Sequence, residues 1–381
     1  MKLLVIGAGM MGSAAAYDMA RSPLVETVTL ADCDLKRAQR QATRLNKLAD
    51  GKKIRPAKID AASHSAAAKL MRGHNAVLSA VPYFYNLGLC KAAIEAKCHF
   101  ADLGGNNVVV RQEYALGRQA HKRGVAIAPD CGLSPGMASI LGGELMRQIG
   151  GQADALKIYV GGLPKDPQPP FHYQLLFSVE GLINEYVEPA LVLRGGKIAK
   201  IEPLTEPEDF HIAGFDKLTA FHTSGGTSTL PETFAGSVGE CFEKTLRTPS
   251  HYAMVRSLYD LGFFSNSKMK IGKNELAPRE LTAKLFVEKF TSDAPDICIM
   301  RVEAHRNGSV ASYSLVDYYD PAAQMTAMMR TTAWPASIVV MMMASGEITK
   351  RGGIKQETDV PAQKFLQEMA KRGIRIEHQI G

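Results

Sequence analysis

Aromatic residues are scarce, 7% of the chain with a single tryptophan, and the six cysteines (Cys33, Cys90, Cys98, Cys131, Cys241, Cys298) include no C-x-x-C pair. No two of the ten histidines stand at zinc-ligand spacing. The sequence therefore predicts reduced thiols and no structural metal. Long hydrophobic runs are also missing: the uncharged stretch Thr331 to Gly346 is shorter than the roughly 20 residues a bilayer crossing needs, and it contains Pro335. A net charge of +7 would suit a polyanion, yet acidic residues are interspersed throughout and no basic block carries interleaved aromatics. Neither a nucleic-acid nor a membrane partner is expected, and the location expected is cytoplasmic. What the chain does have is 46% hydrophobic residues over 381 positions, enough to fill the cores of two or three domains.

The strongest motif is at the start. An apolar run, Leu3-Leu4-Val5-Ile6, leads into Gly7-Ala8-Gly9-Met10-Met11-Gly12, and about 20 residues later Asp32 closes a second apolar run. Gly7 permits a tight turn, Gly9 lets backbone approach a pyrophosphate, and Gly12 lets the following helix pack on its strand. Phosphates would then sit at a helix N-terminus, where N–H groups and the dipole favour anions. Asp32 can accept from both ribose hydroxyls and would repel a 2′-phosphate, so NAD is favoured. Lys36 and Arg37 lie just beyond and could turn toward a phosphate, so NADP is not excluded. The lysine at position 2, the apolar run and Ser13-Ala14-Ala15-Ala16 also resemble a short secretory signal, but three glycines interrupt the would-be apolar core.

Strand and helix patterns then alternate: helix near Leu35 to Leu48, strand Ile54 to Ile59, helix around Ala66, strand Ala76 to Ala80, helix Gly88 to Ala96, strand His99 to Asp102, helix near Glu113 to Lys122, strand Val125 to Ala128. Six such strands make a Rossmann doubly wound parallel sheet in an α/β domain over 1–130. Past Asp130 the signals turn antiparallel, with Gly195-Gly196 and Asn307-Gly308 set between apolar runs. An α+β substrate domain with a mixed, largely antiparallel sheet is expected over 131–320. The segment 321–381 is expected to be helical and to pack back on the first domain.

Ligands of open parallel sheets bind outside the carboxyl ends of the strands. The residues there are Ala80-Val81-Pro82 with Tyr85 nearby, then Asp102 to Gly105, and then Asp130-Cys131-Gly132 onward to Gly136. Ala80, Val81, Pro82, Asp102 and Gly104 join Gly7, Gly9, Met10, Met11, Gly12 and Asp32 as cofactor candidates. Asp102 and Asp130 read either as turn carboxylates or as catalytic groups. Cys131 reads as a buried small residue. In the second domain, Phe221 to Thr229 is a hydroxyl-rich loop with two glycines and a titratable imidazole. It makes His222, Thr223 and Ser224 candidates for gripping substrate. Glu180, beside Gly181 at the start of a predicted helix, reads as a first-turn residue or a ligand.

These segments, together with Tyr159 to Pro164 and Phe177 to Gly181, resemble the saccharopine dehydrogenase and reductase family over nearly the whole chain. Within the family they are most similar to the NAD-dependent L-lysine 6-dehydrogenases. The resemblance implies chemistry at a carbon bearing an amine, an amino-acid substrate held near Tyr85 and Glu180, and a homo-oligomer of at least two copies. Saccharopine-forming relatives place an arginine near the position of Glu180, whereas this chain has none between Phe171 and Ala190. That departure argues for a substrate with a free amine there. The expected reaction is oxidative deamination of the terminal amine of lysine to a semialdehyde. His222 has the natural pKa range for the base, with Asp102, Asp130 and Glu180 as alternatives. The rival enzyme is a saccharopine-type or carboxynorspermidine-type reductase recruiting Arg194, Arg247 or Arg301. A catalytically silent NAD-binding protein is the third reading.

Overall fold

The computed structural model describes all 381 residues, which divide into two compact units. The first comprises 1–144, 321–325 and 329–375, and the second comprises 145–320, 326–328 and 376–381. No helix is long and apolar enough to cross a membrane.

The first unit runs β1 (Lys2–Ile6), α1 (Met10–Arg21), β2 (Thr27–Asp32), α2 (Leu35–Leu48), β3 (Ile54–Lys58), α3 (His64–Met71), β4 (Ala76–Ser79), α4 (Asn86–Ala96), β5 (His99–Asp102), α5 (Asn107–Ala115), α6 (Gly117–Lys122) and β6 (Ala126–Ala128). The strands are parallel in the order β3-β2-β1-β4-β5-β6, the doubly wound Rossmann arrangement read from the alternation. A short strand, Gly352–Gly353, adds a seventh beside β6. β1 and β4 are buried from end to end apart from Lys2, as strands covered on both faces must be. The single helix expected near Glu113 to Lys122 is two, α5 starting earlier on an Asn106 cap and α6 resuming at Gly117.

The first unit extends past the expected limit at 130 because helix α7 (Met137–Gln148) lies against the segment Gln356–Asp359. A Cβ added at Gly143 would stand 1.9 Å from the Glu357 carbonyl oxygen.

The second unit contains β7 (Ala153–Pro164), α8 (Val179–Val187), β8 (Ala190–Arg194), β9 (Lys197–Ile201), β10 (Glu208–Phe210), β11 (Leu218–His222), α9 (Leu230–Phe234), β12 (Val238–Arg247), α10 (Pro249–Asp260), the hairpin β13 (Met269–Ile271) and β14 (Asn274–Leu276), α11 (Pro278–Phe290), β15 (Asp296–Arg306) and β16 (Ser309–Tyr318). Its nine-stranded sheet is mixed: β12 pairs with β7 in parallel and the other pairs are antiparallel. Both expected hairpins form, each with two positive φ angles at its tip: Gly195 and Gly196 at 55° and 75°, Asn307 and Gly308 at 52° and 82°. That backbone twist matches the strands it joins. Glu377–Ile380 returns as a strand on β16, so residues 376–381 belong to this unit.

Helix α12 (Ala327–Ser345) follows, and within the first unit its Ser337 hydroxyl donates to the Asp18 carboxylate of α1. Arg372 meets the same carboxylate at 2.7 Å, and both partners are almost wholly buried. Removing one half of such a pair leaves an uncompensated charge in the interior. Asp18→Ala is therefore expected to lower unfolding free energy by about 3 kcal/mol in urea titrations, with Asp18→Asn losing less because it keeps an acceptor for Ser337.

Candidate functional site

The glycine-rich turn of the first unit is set by close backbone contacts. Gly7 has φ 105°, and a Cβ there would lie 2.4 Å from the Ala80 carbonyl oxygen; one at Gly12 would lie 1.8 Å from the Gly7 carbonyl oxygen. Only glycine fits either position. Gly9 is the opposite case. It caps α1 in extended conformation with no side-chain cap, and a Cβ there would meet nothing within 4 Å. The helix N-terminus therefore presents exposed backbone N–H groups at Gly9 and Met10, with Met11 half-buried behind them, as a pyrophosphate requires. Asp32 stands at the end of β2, where its Oδ2 accepts the Ala8 N–H at 2.8 Å and its Oδ1 the Asp34 N–H at 2.9 Å. The carboxylate thus braces the turn and still has lone pairs for a ribose. Lys36 and Arg37 are exposed on the first turn of α2, which Asp34 caps.

Gly7, Gly9, Gly12, Asp32, Ala80 and Val81 are thereby brought together, and their shape and donors fit a dinucleotide. Pro82 is exposed just beyond, while Tyr85 leans on Phe84 and the core between β4 and α4. The Asp130 carboxylate crowds Gly104, where an added Cβ would fall 1.9 Å from Asp130 Oδ1.

Asp102 is fully buried, and its Oδ1 accepts the Gly104 N–H at 2.6 Å and the Asp130 N–H at 3.2 Å. It ties two loops together rather than facing outward. Burial, opposed by those two donors, raises it to about 6. Beside it is Glu113 of α5, also without exposure, whose pKa burial and the Asp102 charge push up to about 11. Glu113 is a member of this site that the sequence reading missed. The available signal was helical spacing, which puts it three residues from buried Val110.

In the second unit the face of β11 and β12 divides the candidates. Directly opposed residues share a face, so His222 sits with Lys244 and packs on Phe242, while Phe221 sits with Thr245 and Thr219 with Arg247. His222 and Thr223 consequently point to opposite sides of the sheet. The His222 Nε2 meets Glu206 at 3.2 Å, and burial, then Lys244, pull the imidazole below its ordinary pKa.

On the other face Thr223 donates to Glu243 Oε2 at 3.2 Å and stands 2.7 Å from the Thr245 hydroxyl. Gly226 leaves room for that carboxylate, since a Cβ would lie 2.5 Å from the Glu243 side chain. The Ser224 N–H is anchored on the Glu185 carbonyl. Buried Arg247 follows two residues along β12, donating from Nη1 to the Leu246 carbonyl and standing 5.3 Å over the Tyr173 ring. Burial disfavours its charge, but Tyr186, Tyr173 and Glu185 more than offset this. Burial pushes the partly accessible Glu185 up to about 7, against the pull of Arg247. Burial and then the Glu185 charge push Glu243 up to about 8, against the Thr223 and Thr245 hydroxyls. His251, hydrogen-bonded to the Tyr186 hydroxyl at 3.0 Å, is held down to about 3 by burial and stays neutral. Glu185 and Glu243 escaped the sequence reading. The alternation of Glu243, Thr245 and Arg247 with Phe242, Lys244 and Leu246 was its legible trace.

Glu180 lies at the start of α8 with its carboxylate half-exposed and 2.9 Å from Arg279 of α11. The segment around Glu180 lacks arginine in sequence but acquires one in space. No group of three or more His, Cys, Asp or Glu side chains is arranged to hold a metal ion.

Replacing the carboxylate at the end of β2 tests the cofactor reading: Asp32→Ser should shift the ratio of NADPH to NADH dissociation constants toward NADPH by about tenfold, measured by nicotinamide fluorescence.

Comparison with known proteins agrees with both units. Residues 3–128 match the family described as Saccharopine dehydrogenase NADP binding domain, and residues 132–374 the Saccharopine dehydrogenase C-terminal domain. Saccharopine dehydrogenase [NADP(+), L-glutamate-forming] of Pyricularia oryzae is 21% identical over 238 residues, 60% of this chain and 52% of that protein. The mitochondrial alpha-aminoadipic semialdehyde synthase of Mus musculus is 22% identical over 206 residues, 52% of this chain and 21% of its own length. The chain spans about half the length of the first of these relatives and less of the second. Among solved structures, apo saccharopine dehydrogenase (L-Glu forming) from Saccharomyces cerevisiae superposes with a TM-score of 0.80 at 17% identity, covering 100% of this chain and 99% of that one. The homospermidine synthase of Legionella pneumophila in complex with NAD gives 0.69 at 11% identity, covering 100% and 91%. The chain belongs to the saccharopine dehydrogenase family.

Proposed function

We propose that the protein oxidises an amine-bearing carbon of an amino acid, and that its substrate is the terminal amine of L-lysine, converted to the semialdehyde with release of ammonia. The observation that carries this reading is the trio Glu185, Glu243 and Arg247. A guanidinium offers paired donors to a carboxylate, and a carboxylate accepts from an ammonium. One guanidinium beside two carboxyl groups whose protons exchange near neutral pH complements a molecule with one carboxylate and two amines, which describes lysine.

An ammonium group cannot release hydride until it has lost a proton, so the site needs a base that is ionised near neutral pH. Glu185, partly accessible and tuned to about 7 by burial, has that property. His222 lies on the other face of the sheet with its Nε2 on Glu206, so we assign the base to Glu185 and keep Thr223 and Ser224 as substrate-side residues. Asp102 acts by positioning, and Asp130 stays beside Gly104 at the cofactor end. When bound, the nicotinamide supplies the hydride acceptor. The protein's own part is to hold the amine, remove its proton and leave an imine that water hydrolyses.

A second reading, a saccharopine-type dehydrogenase acting on a secondary amine, is favoured by the Glu180–Arg279 pair, which places a second guanidinium near α8. The curated relatives bearing the saccharopine name lean the same way. NADH formation with NAD and L-lysine, against NAD and saccharopine, decides between them: ammonia released from lysine establishes the first, and turnover on saccharopine alone establishes the second.

For a base whose pKa is raised to about 7, activity is lost as pH falls through that value, because the protonated carboxyl cannot accept a proton. With the substrate that turns over, kcat/KM should rise through pH 7 and then level off. Glu185→Gln should remove that limb and lower kcat at least about 100-fold while NADH affinity stays unchanged. His222→Asn should change kcat far less. The opposite ranking would return the base to His222.

A further inference from the structure

We infer that Glu113 is held as a neutral carboxylic acid that donates its proton to Asp102, and that this buried acid pair positions the two loops at the nicotinamide end of the cofactor site. The inference rests on the reading of the first unit as a dinucleotide-binding domain.

The assignment of the proton follows from who donates to whom. Asp102 Oδ1 receives two backbone N–H groups, from Gly104 and Asp130, and both favour the anion. Its Oδ2 and both Glu113 oxygens are buried and meet no N–H or O–H of any other residue. Two carboxylates within hydrogen-bonding reach of each other, with no cation beside them, cannot both be ionised in the interior. One proton between them removes the repulsion and satisfies Oδ2 at the same time. It belongs on Glu113, since nothing else stabilises a charge there. The nearby thiols are pushed up chiefly by burial, Cys90 of α4 also by Glu113 and Asp102 and Cys131 also by Asp102 and Asp130, and so stay uncharged.

Asp102 then accepts three hydrogen bonds, two from loop backbone and one from α5. Its own carbonyl accepts the Cys131 N–H at 2.7 Å. The Gly104-Gly105 turn, with φ of 74° and 115°, uses the freedom of glycine, whereas Asp130, with φ of 60°, holds a conformation uncommon for a residue with a side chain, which persists where its surroundings over-determine it. The acid pair is one such determinant. Glu113 does not reach outward to any ligand. It acts through Asp102 and is a positioning residue.

Three variants test this: Glu113→Gln, which keeps a donor to Asp102 but cannot ionise; Glu113→Leu, which keeps the volume without a donor; and Asp102→Asn. NADH and NADPH dissociation constants are read by fluorescence, with thermal unfolding in parallel. Infrared difference spectra at neutral pH compare wild type with Glu113→Gln. The expected result is a protonated-carboxyl band in wild type that Glu113→Gln abolishes, cofactor affinity of Glu113→Gln within about twofold of wild type, and Glu113→Leu weaker by about tenfold, the scale of one lost hydrogen bond to a charged group. Absence of the band overturns the inference, as does a folded Glu113→Leu that binds cofactor as tightly as wild type. If Glu113→Leu does not fold, Asp102→Asn replaces it: reduced cofactor affinity supports the pair and unchanged affinity overturns it. A wild type that binds neither cofactor would defeat the dinucleotide reading, while the infrared band would still report on the pair.

Discussion

The approach of backbone to backbone at the first turn governs the whole first unit. With an alanine Cβ at Gly12 only 1.8 Å from the Gly7 carbonyl oxygen, and one at Gly7 2.4 Å from that of Ala80, no side chain larger than hydrogen lets α1 lie down on β1 and β4 together. That contact fixes where the N-terminus of α1 opens, and hence where an anion is received. Asp32 reinforces it from β2 through the Ala8 N–H, so the carboxylate we propose for a ribose also holds the turn we propose for a phosphate. Shape and electrostatics of the cofactor site are in this sense one constraint.

Carboxylates removed from water recur in both units with different consequences. In the first, Asp102 and Glu113 are sealed, and their common solution is a shared proton that serves loop geometry. In the second, Glu185 and Glu243 stand near a guanidinium, and burial lifts them to about 7 and 8, where a proton is exchangeable near neutral pH. The same desolvation therefore produces a fixed brace in one place and a candidate base in the other. What differs is solvent access and the presence of Arg247.

The sheet of the second unit sorts functional candidates by parity. Successive side chains point to opposite faces, so His222 and Thr223 cannot serve one site although they are neighbours in sequence. His222 joins Lys244, Phe242 and Glu206, a packed ionic cluster. Thr223 joins Glu243, Thr245 and Arg247. The hydroxyl-rich loop is thus divided by strand register, its imidazole meeting Glu206 and its first hydroxyl meeting Glu243.

The sequence by itself determined the doubly wound sheet, the positions of Gly7, Gly9, Gly12 and Asp32, and both hairpin tips at Gly195-Gly196 and Asn307-Gly308. These depend on local geometry: hydrophobic period, tight turns, positive φ. It also carried enough pattern for the family resemblance that the comparisons bear out. Only the tertiary structure decided which carboxylates share a proton, that Arg279 reaches Glu180 across 99 residues, and that Glu185, Glu243 and Arg247 meet at one place. It also set the limits of the units, since residues 131–144 and 376–381 follow their packing and strand pairing. The pKa of a carboxyl and the partner of a charge depend on burial and on neighbours distant in the chain, and no local spacing encodes either.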